Sequence, residues 1–131
     1  MRRLTCALAL AVLGLAACGE DATPDDAALH QAIVQDHPGT EVTFDATVLS
    51  DPTSAPGHER IVVRAGSGDN LEIDHNVSLA RPVPAHTGDQ LIVHGQLYID
   101  SGRAGVHCTH AHTSSGCPVP GWIDLGGSRY Q

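Results

Sequence analysis

The feature that most constrains the fold is a series of short segments, starting at Glu41, in which apolar and polar residues alternate. The alternation occupies residues 41–48, 58–65, 71–75 and 88–99. A period of two is typical of β-strands that bury one face. Turn sequences such as GSGDN at 66–70 and DSGR at 100–103 separate the segments. The pattern therefore predicts a sheet of short strands joined largely by tight turns.

A fifth strand is predicted in the histidine-rich segment that begins at Gly105. Some five strands in about seventy residues fit a small closed or nearly closed barrel, and their order resembles an OB-fold. Within the clearest strand, Gly95 predicts a bulge or a sharp bend. The connection 77–87 contains Pro82 and Pro84 and has no room for a helix, so it is predicted to be irregular. We expect an all-β fold.

One short helix is predicted before the barrel. Asp25 or Asp26 can cap a helix that runs to about Gln35 and has one apolar face. The Pro38-Gly39 pair is expected to end it. The simplest interpretation is a small helix that covers one end of the barrel.

The N-terminus resembles a bacterial export signal. Residues 1–17 combine two arginines with an apolar run that ends in small residues, as in a secretory signal peptide, and the run is too short to span a bilayer stably. Leu15-Ala16-Ala17-Cys18 resembles a lipobox, which implies a lipid on Cys18; the alternative is an ordinary signal peptide with a chance cysteine. Residues 18–24 would form an acidic tether and residues 25–131 one barrel domain. In a Gram-negative source, Gly19 after the cysteine implies an outer membrane location facing the periplasm.

After export, two cysteines remain in the barrel domain, Cys108 and Cys117. In an oxidising compartment a disulfide between them is the expected outcome. A metal site that uses both thiolates is the alternative, and it would need reduced cysteines.

The charge of the chain disfavours nucleic acid as a partner. Without Arg2 and Arg3, five arginines stand against fifteen acidic residues, a net charge of −10 with neutral histidines. Such a charge repels phosphate backbones, and no basic stripe occurs. The expected partners are the membrane, through Cys18, and a small ligand or an envelope protein.

Several of the nine histidines lie at strand ends that a barrel can bring to one rim. If residues 105–112 are extended, alternation puts two of the three histidines there on one face. Nitrogen ligands from three segments could hold zinc or another divalent metal. The candidate metal ligands are His58, His75, His110 and His112. Candidates for ligand contact or support of the metal ligands are Asp74, Asn76 and His107.

Three interpretations of this cluster remain open. The histidines can bind a small ligand or metal, or they can hydrogen-bond one another and loop carbonyls in a purely structural or protein-binding module. A metal-dependent hydrolase would use the same histidines with Asp74 or Glu59 as general base. No nucleophile motif, Walker loop or dinucleotide fingerprint occurs, so the sequence assigns no catalytic residue and no cofactor-binding residue.

Several separated motifs resemble one bacterial family, the domain of unknown function 3465. They are GHER at 57–60, DHNVSLA at 74–80, GD at 88–89, GVHCTH at 105–110 and GWI at 121–123. The resemblance covers roughly residues 30–131 and implies small secreted or lipid-anchored, OB-like proteins. Family members commonly have tryptophan where Cys108 stands and a shorter link before Trp122. The residues that match the family motifs are His58, His75, Asn76, His107 and His110.

The sequence thus predicts a monomeric, lipid-anchored cell-envelope protein with an OB-like barrel. Its histidine-rich rim is expected to bind a small ligand or a divalent metal.

Overall fold

The computed structural model describes residues 22–131 of the chain, which form one helix and eight strands. The predicted lipid attachment at Cys18 lies outside the described residues, as do the signal peptide and the first part of the tether. The helix is α1 (Asp26–Val34). The strands are β1 (Glu41–Val48), β2 (Thr53–Ala55), β3 (His58–Ala65), β4 (Asn70–Asn76), β5 (Gln90–Asp100), β6 (Arg103–His107), β7 (Trp122–Leu125) and β8 (Ser128–Tyr130).

Five of these strands close into a barrel. The hydrogen-bonded order is β1-β3-β4-β6-β5, and β5 pairs with β1 to complete the circle. All pairs in the circle are antiparallel except β4 with β6, which is parallel. The predicted all-β, OB-like barrel with a single short helix is therefore confirmed.

The alternation seen in the sequence sets the inside of the barrel. In β3, β4 and β5 every second side chain is buried, and the residues between them are partly or fully exposed. The hydrophobic core is aliphatic apart from two aromatic rings, those of Phe44 and Tyr130. Burial of these side chains is the main source of stability for such a barrel. The inward positions of β3, β4 and β5 hold one polar side chain, His75, which is completely buried.

Gly95, where a bulge or a sharp bend is predicted, lies at the point where the neighbour of β5 changes from β7 to β6. Residues 90–94 of β5 include the partners of β7, whereas 96–100 pair with β6 on the same edge. A Cβ atom on Gly95 would lie 2.5 Å from the carbonyl oxygen of His107 and 2.7 Å from Cγ1 of Val106. Only glycine allows this close approach at the corner of the barrel.

Three details differ from the sequence-based expectations. The strand β2 forms between two of the alternating segments, where no strand is predicted, and the β7–β8 hairpin extends the sheet beyond β5. The histidine segment is extended only as far as His107, because Cys108 has a positive φ of 58° that breaks the strand. Strand alternation therefore does not place His110 and His112.

The helix covers one end of the barrel, as predicted. The carboxylate of Asp25 accepts a hydrogen bond from the backbone N–H of Ala28, which caps the helix. Asp26 accepts the backbone N–H of Asp45 at 3.0 Å, and Leu29 is buried in the core. This packing lies beside the β3–β4 turn, at the opposite end of β4 from His75. No helix in the described range 22–131 has the length and apolar character needed to cross a membrane.

Candidate functional site

His75 points into the barrel and is hydrogen-bonded at both ring nitrogens. Its Nε2 lies 3.0 Å from the carbonyl oxygen of Arg81, and its Nδ1 lies 2.8 Å from the hydroxyl of Thr109. A carbonyl can only accept, so Nε2 carries the proton and Nδ1 accepts from Thr109. We call His75, Thr109 and the Arg81 carbonyl the inner cluster. Both nitrogens of this neutral ring are engaged within the protein.

Electrostatics favour the neutral form of His75. Burial lowers the pKa of the imidazole, and the nearby His110 and His58 lower it further, while the Arg81 and Thr109 contacts oppose the shift. A charged imidazolium in this position would be poorly solvated. The inner cluster is thus a filled, uncharged hydrogen-bond network.

The disulfide-bridged loop fixes the neighbouring part of the rim. Cys108 and Cys117 have their Sγ atoms 2.06 Å apart, so the predicted disulfide is present. His110 is buried, and its Nδ1 donates to the carbonyl oxygen of His112 at 2.7 Å. The His110 carbonyl in turn accepts the backbone N–H of Gly121 at 2.9 Å. The loop uses His110 to hold its own backbone in place, while His112 is exposed.

The residue next to His75 faces the other way. Asp74 lies on the outside of β4, where Oδ2 accepts a hydrogen bond of 2.9 Å from the hydroxyl of Tyr98. Its Oδ1 is buried and has no hydrogen-bond partner among the described residues, although the Nε atom of Arg60 lies 3.6 Å away. A buried acceptor without a hydrogen bond is uncommon in folded proteins.

His107 extends this outer arrangement across the sheet. Its ring packs edge-on against Tyr98, with centroids 5.4 Å apart, and its Nε2 donates to Oε1 of Gln96 at 3.1 Å. Burial lowers the pKa of His107, and the nearby carboxylate of Asp74 opposes that shift. We call Asp74, Tyr98, His107 and Gln96 the outer cluster.

The predicted site residues therefore divide between two faces. Histidines from three segments lie near one another at this end of the barrel. His58 and His110 are close enough to His75 and His107 to lower the pKa of both rings. However, within residues 22–131 no group of three or more His, Cys, Asp or Glu side chains is arranged to hold a metal ion. His58 lies beside the Pro56 carbonyl, 3.3 Å from Nδ1, and Asn76 accepts the N–H of Ser78.

Glu59, one of the two general bases considered for a hydrolase, is hydrogen-bonded to the backbone of the protein. Its Oε2 accepts the backbone N–H of Val83 at 2.8 Å and so ties the irregular 77–87 connection to β3. Burial raises the pKa of this carboxyl, which the Val83 hydrogen bond partly offsets. The other, Asp74, belongs to the outer cluster.

Sequence reasoning missed Tyr98, Gln96 and Arg60 as members of the outer surface. Tyr98 and Gln96 occupy outward positions of β5, the strand with the clearest alternation, and Arg60 occupies an outward position of β3. The signal was available in the register of the alternation. Tyrosine and glutamine are not among the usual zinc ligands, so a metal-site hypothesis does not single them out.

A family model described as a protein of unknown function, DUF3465, matches residues 11–131. The chain belongs to the DUF3465 family. No curated protein is significantly similar to it in sequence.

Membership in DUF3465 confirms the resemblance drawn from the motifs, and it carries no activity with it. The DUF3465 motif residues fall on both faces of the barrel, with His75 inside and His107 outside. A single metal centre is therefore not the simplest explanation for the motif histidines. Of these histidines, His75 belongs to the inner cluster and His107 to the outer cluster.

Proposed function

We propose that this protein is a lipid-anchored component of the cell envelope that binds a small polar ligand on the outside of its barrel. The leader-like residues 1–17 and Cys18 support the anchor, which in a Gram-negative cell would be in the outer membrane. The outer cluster supports the ligand site. The protein acts as a monomer in this proposal, and no catalysis is assigned to it.

One observation carries the ligand site, the buried Oδ1 of Asp74 that lacks a hydrogen bond. An acceptor in this state gains stability when a ligand brings an O–H or N–H group to it, which here requires neighbouring side chains to move because Oδ1 is closed to solvent. Tyr98 holds the other oxygen of the same carboxylate, so Oδ1 has a fixed direction. The side chain of Arg60 lies beside it and can accept no hydrogen bond but can donate several. The site therefore suits a ligand with both donor and acceptor groups, such as a polyol.

The geometry favours this ligand over a divalent metal at the rim. A metal held by the predicted histidines would require His75 to give up the Arg81 carbonyl or the Thr109 hydroxyl. Each broken contact would leave a buried polar group unpaired, at a cost of about 1–3 kcal/mol. The metal version remains an outcome that the test below can distinguish.

A thermal-shift screen of the purified protein tests the ligand site. The compounds are small sugars, polyols, amino acids, amines and zinc, compared on the wild type, Asp74→Asn and the control Asp45→Asn. Asp45 is an exposed aspartate on β1. We expect a compound with hydroxyl or amino donors to raise the melting temperature of wild type and Asp45→Asn but not of Asp74→Asn, since only a bound native state is stabilised.

Two outcomes would contradict the ligand site. One is a screen in which no compound stabilises the wild type more than Asp74→Asn. The other is stabilisation by zinc that both His75→Ala and His110→Ala abolish, which would support a metal rim instead.

The anchor has a separate test. We expect the wild-type chain to fractionate with membranes and to carry acyl groups on Cys18 by mass spectrometry, because several acyl chains give firm attachment. Cys18→Ser should appear in the soluble fraction. Equal membrane association of both forms, without acylation, would refute the anchor and leave the ligand proposal untouched.

A further inference from the structure

A groove of about 590 Å³ runs beside the outer cluster, across the outer surface of β3, β4, β5 and β6. This volume is within the range of small-molecule sites. Its lining includes Arg60, Val62, Glu72, Tyr98 and Arg103. The groove follows the parallel seam of the barrel, where β4 and β6 are joined by only two register pairs.

The floor of this groove contains an aromatic ring in a fixed position. Tyr98 and Gly105 are direct cross-strand partners, and a Cβ atom on Gly105 would overlap the ring and hydroxyl of Tyr98. The ring therefore passes directly over the glycine backbone, a packing in which the aromatic side chain covers the missing side chain. The hydroxyl is held by Asp74, and the ring is only partly buried. Its position is set by the protein before any ligand arrives.

Charged groups of both signs surround this ring. Arg60 lies between two carboxylates, with its Nε 3.7 Å from Glu72 and 3.6 Å from Asp74. Arg103 adds a second guanidinium along the groove, and Asp100 a further carboxylate. Planar carboxylate and guanidinium groups can hydrogen-bond neighbouring hydroxyls in pairs. Asp74, whose Oδ1 lacks a hydrogen bond within residues 22–131, lies next to Arg60 outside the groove lining.

The chemistry of the occupant follows from these groups and the net charge. A phosphate-rich polymer would meet a protein of net charge −8, or −10 without Arg2 and Arg3, and the groove carboxylates of Glu72 and Asp100, so it is disfavoured. A pyranose ring presents an apolar face of C–H groups and a rim of hydroxyls. The C–H face can lie on the Tyr98 ring while the hydroxyls contact Glu72 and Arg60. A fixed aromatic ring flanked by paired charges matches an extended peptide less well than it matches a sugar ring.

We propose that this groove binds a neutral oligosaccharide, with Tyr98 as the stacking surface and Glu72, Arg60 and Arg103 as the hydroxyl-binding groups. The proposal rests on the proposed ligand site, with which it shares Tyr98, and names its ligand class. It places one sugar ring on Tyr98 and directs the rest of the chain along the seam between β4 and β6. A groove volume of about 590 Å³ suits more than one sugar unit, so oligomers should bind better than monomers.

The test is titration of the purified protein with chitotetraose, cellotetraose and maltotetraose, followed by calorimetry and by amide chemical shifts. We expect saturable binding of at least one of them, with shifts in β4, β5 and β6. Tyr98→Ala should weaken it about tenfold or more, as loss of an aromatic stacking partner does for other ring ligands. Tyr98→Phe keeps the ring and should stay within about threefold of the wild type.

Two further variants separate the groove from general damage. Gly105→Ala should displace the Tyr98 ring and weaken binding, whereas Leu79→Ala should not, since Leu79 is exposed outside the groove. If Tyr98→Ala or Gly105→Ala fails to fold, the Tyr98→Phe and Leu79→Ala results and the shift map still decide whether the sugar lies in the groove.

Three results would overturn this proposal. They are the absence of saturable binding for all three oligosaccharides, binding that Tyr98→Ala leaves unchanged, and shifts confined to strands outside the groove. Binding of an oligonucleotide or an extended peptide, with no binding of any sugar, would also overturn it. If small donors still stabilise the wild type and not Asp74→Asn, the proposed function survives while the oligosaccharide is rejected.

Discussion

Asp74 and His75 are adjacent on one strand, yet they lie on opposite sides of the barrel and differ in how completely they are hydrogen-bonded. On the inside, His75 has a hydrogen-bond partner at each ring nitrogen and is completely buried. On the outside, Asp74 has one oxygen bound to Tyr98 and one buried oxygen without a hydrogen bond. A saturated network stabilises a fold, whereas a buried acceptor without a hydrogen bond needs an explanation, for which we propose a ligand. On this proposal the inner cluster serves stability and the outer cluster serves binding.

The largest expected difference between the two sides is in the free energy of unfolding. His75→Ala removes a buried ring and leaves the Thr109 hydroxyl and the Arg81 carbonyl unpaired, so we expect a loss of about 3 kcal/mol or more. Asp74→Ala removes a partly exposed carboxylate and should cost no more than about 1 kcal/mol. Urea denaturation of both variants measures the difference. Equal losses would break the comparison, because the outer cluster would then be structural as well.

The disulfide offers a second way to sharpen the contrast. Cys108 immediately precedes Thr109, so Cys108→Ala with Cys117→Ala should loosen the inner cluster and lower the free energy of unfolding by about 2–3 kcal/mol. His107 of the outer cluster precedes Cys108 in the chain, but its ring is held by contacts with Tyr98 and Gln96. Ligand affinity, measured by calorimetry below the melting temperature, should therefore remain within about twofold of the wild type. A parallel loss of affinity would show that the loop positions the outer cluster.

Much of this contrast was visible in the sequence, and the reasons for the rest are physical. Alternation predicted the barrel because the inward positions are aliphatic, and the compartment predicted the disulfide. Whether His110 and His112 follow strand alternation depends on where β6 ends, and that is set by the positive φ of Cys108. No local pattern reveals that a cysteine will break the strand. The hydrogen bonds that fill both nitrogens of His75 come from residues 6 and 34 positions away, beyond the reach of spacing arguments.

A smaller effect is expected from pH. Burial lowers the pKa of His75 in the folded protein, and the pKa values of His94 and His107 are lowered for the same reason. The unfolded chain then takes up protons at a higher pH than the folded protein. The free energy of unfolding should therefore fall as pH decreases from about 6.5, by at most about 1.4 kcal/mol per pH unit for each histidine.

Carboxyl groups with raised pKa values act in the opposite direction at lower pH. Burial raises the pKa of Glu41 and Glu59, so these groups take up protons more readily in the folded protein as the pH approaches 4.5. The histidine effect is best measured between about pH 6.5 and 5.5. His75→Gln should flatten the slope more than His107→Gln, because His107 is only partly buried. An equal change in slope from both variants would contradict the assignment of the two sides.

The finest test compares the deletion of one hydroxyl on each side. Thr109→Val keeps the shape of the side chain but leaves Nδ1 of His75 without a donor in the core, so the loss should be about 1–2 kcal/mol. Tyr98→Phe removes a hydroxyl whose partner, Oδ2 of Asp74, belongs to a carboxylate that solvent can partly reach, and the loss should be below about 1 kcal/mol. Both are measured by chemical denaturation at pH 7.5, above the usual histidine pKa of about 6.5, so protonation of His75 contributes little to either value. A larger loss for Tyr98→Phe than for Thr109→Val would mean that the outer carboxylate depends on its hydroxyl more than the buried imidazole does. In that event strain in the fold would explain why Oδ1 of Asp74 lacks a hydrogen bond, and the argument for a ligand at that atom would fail.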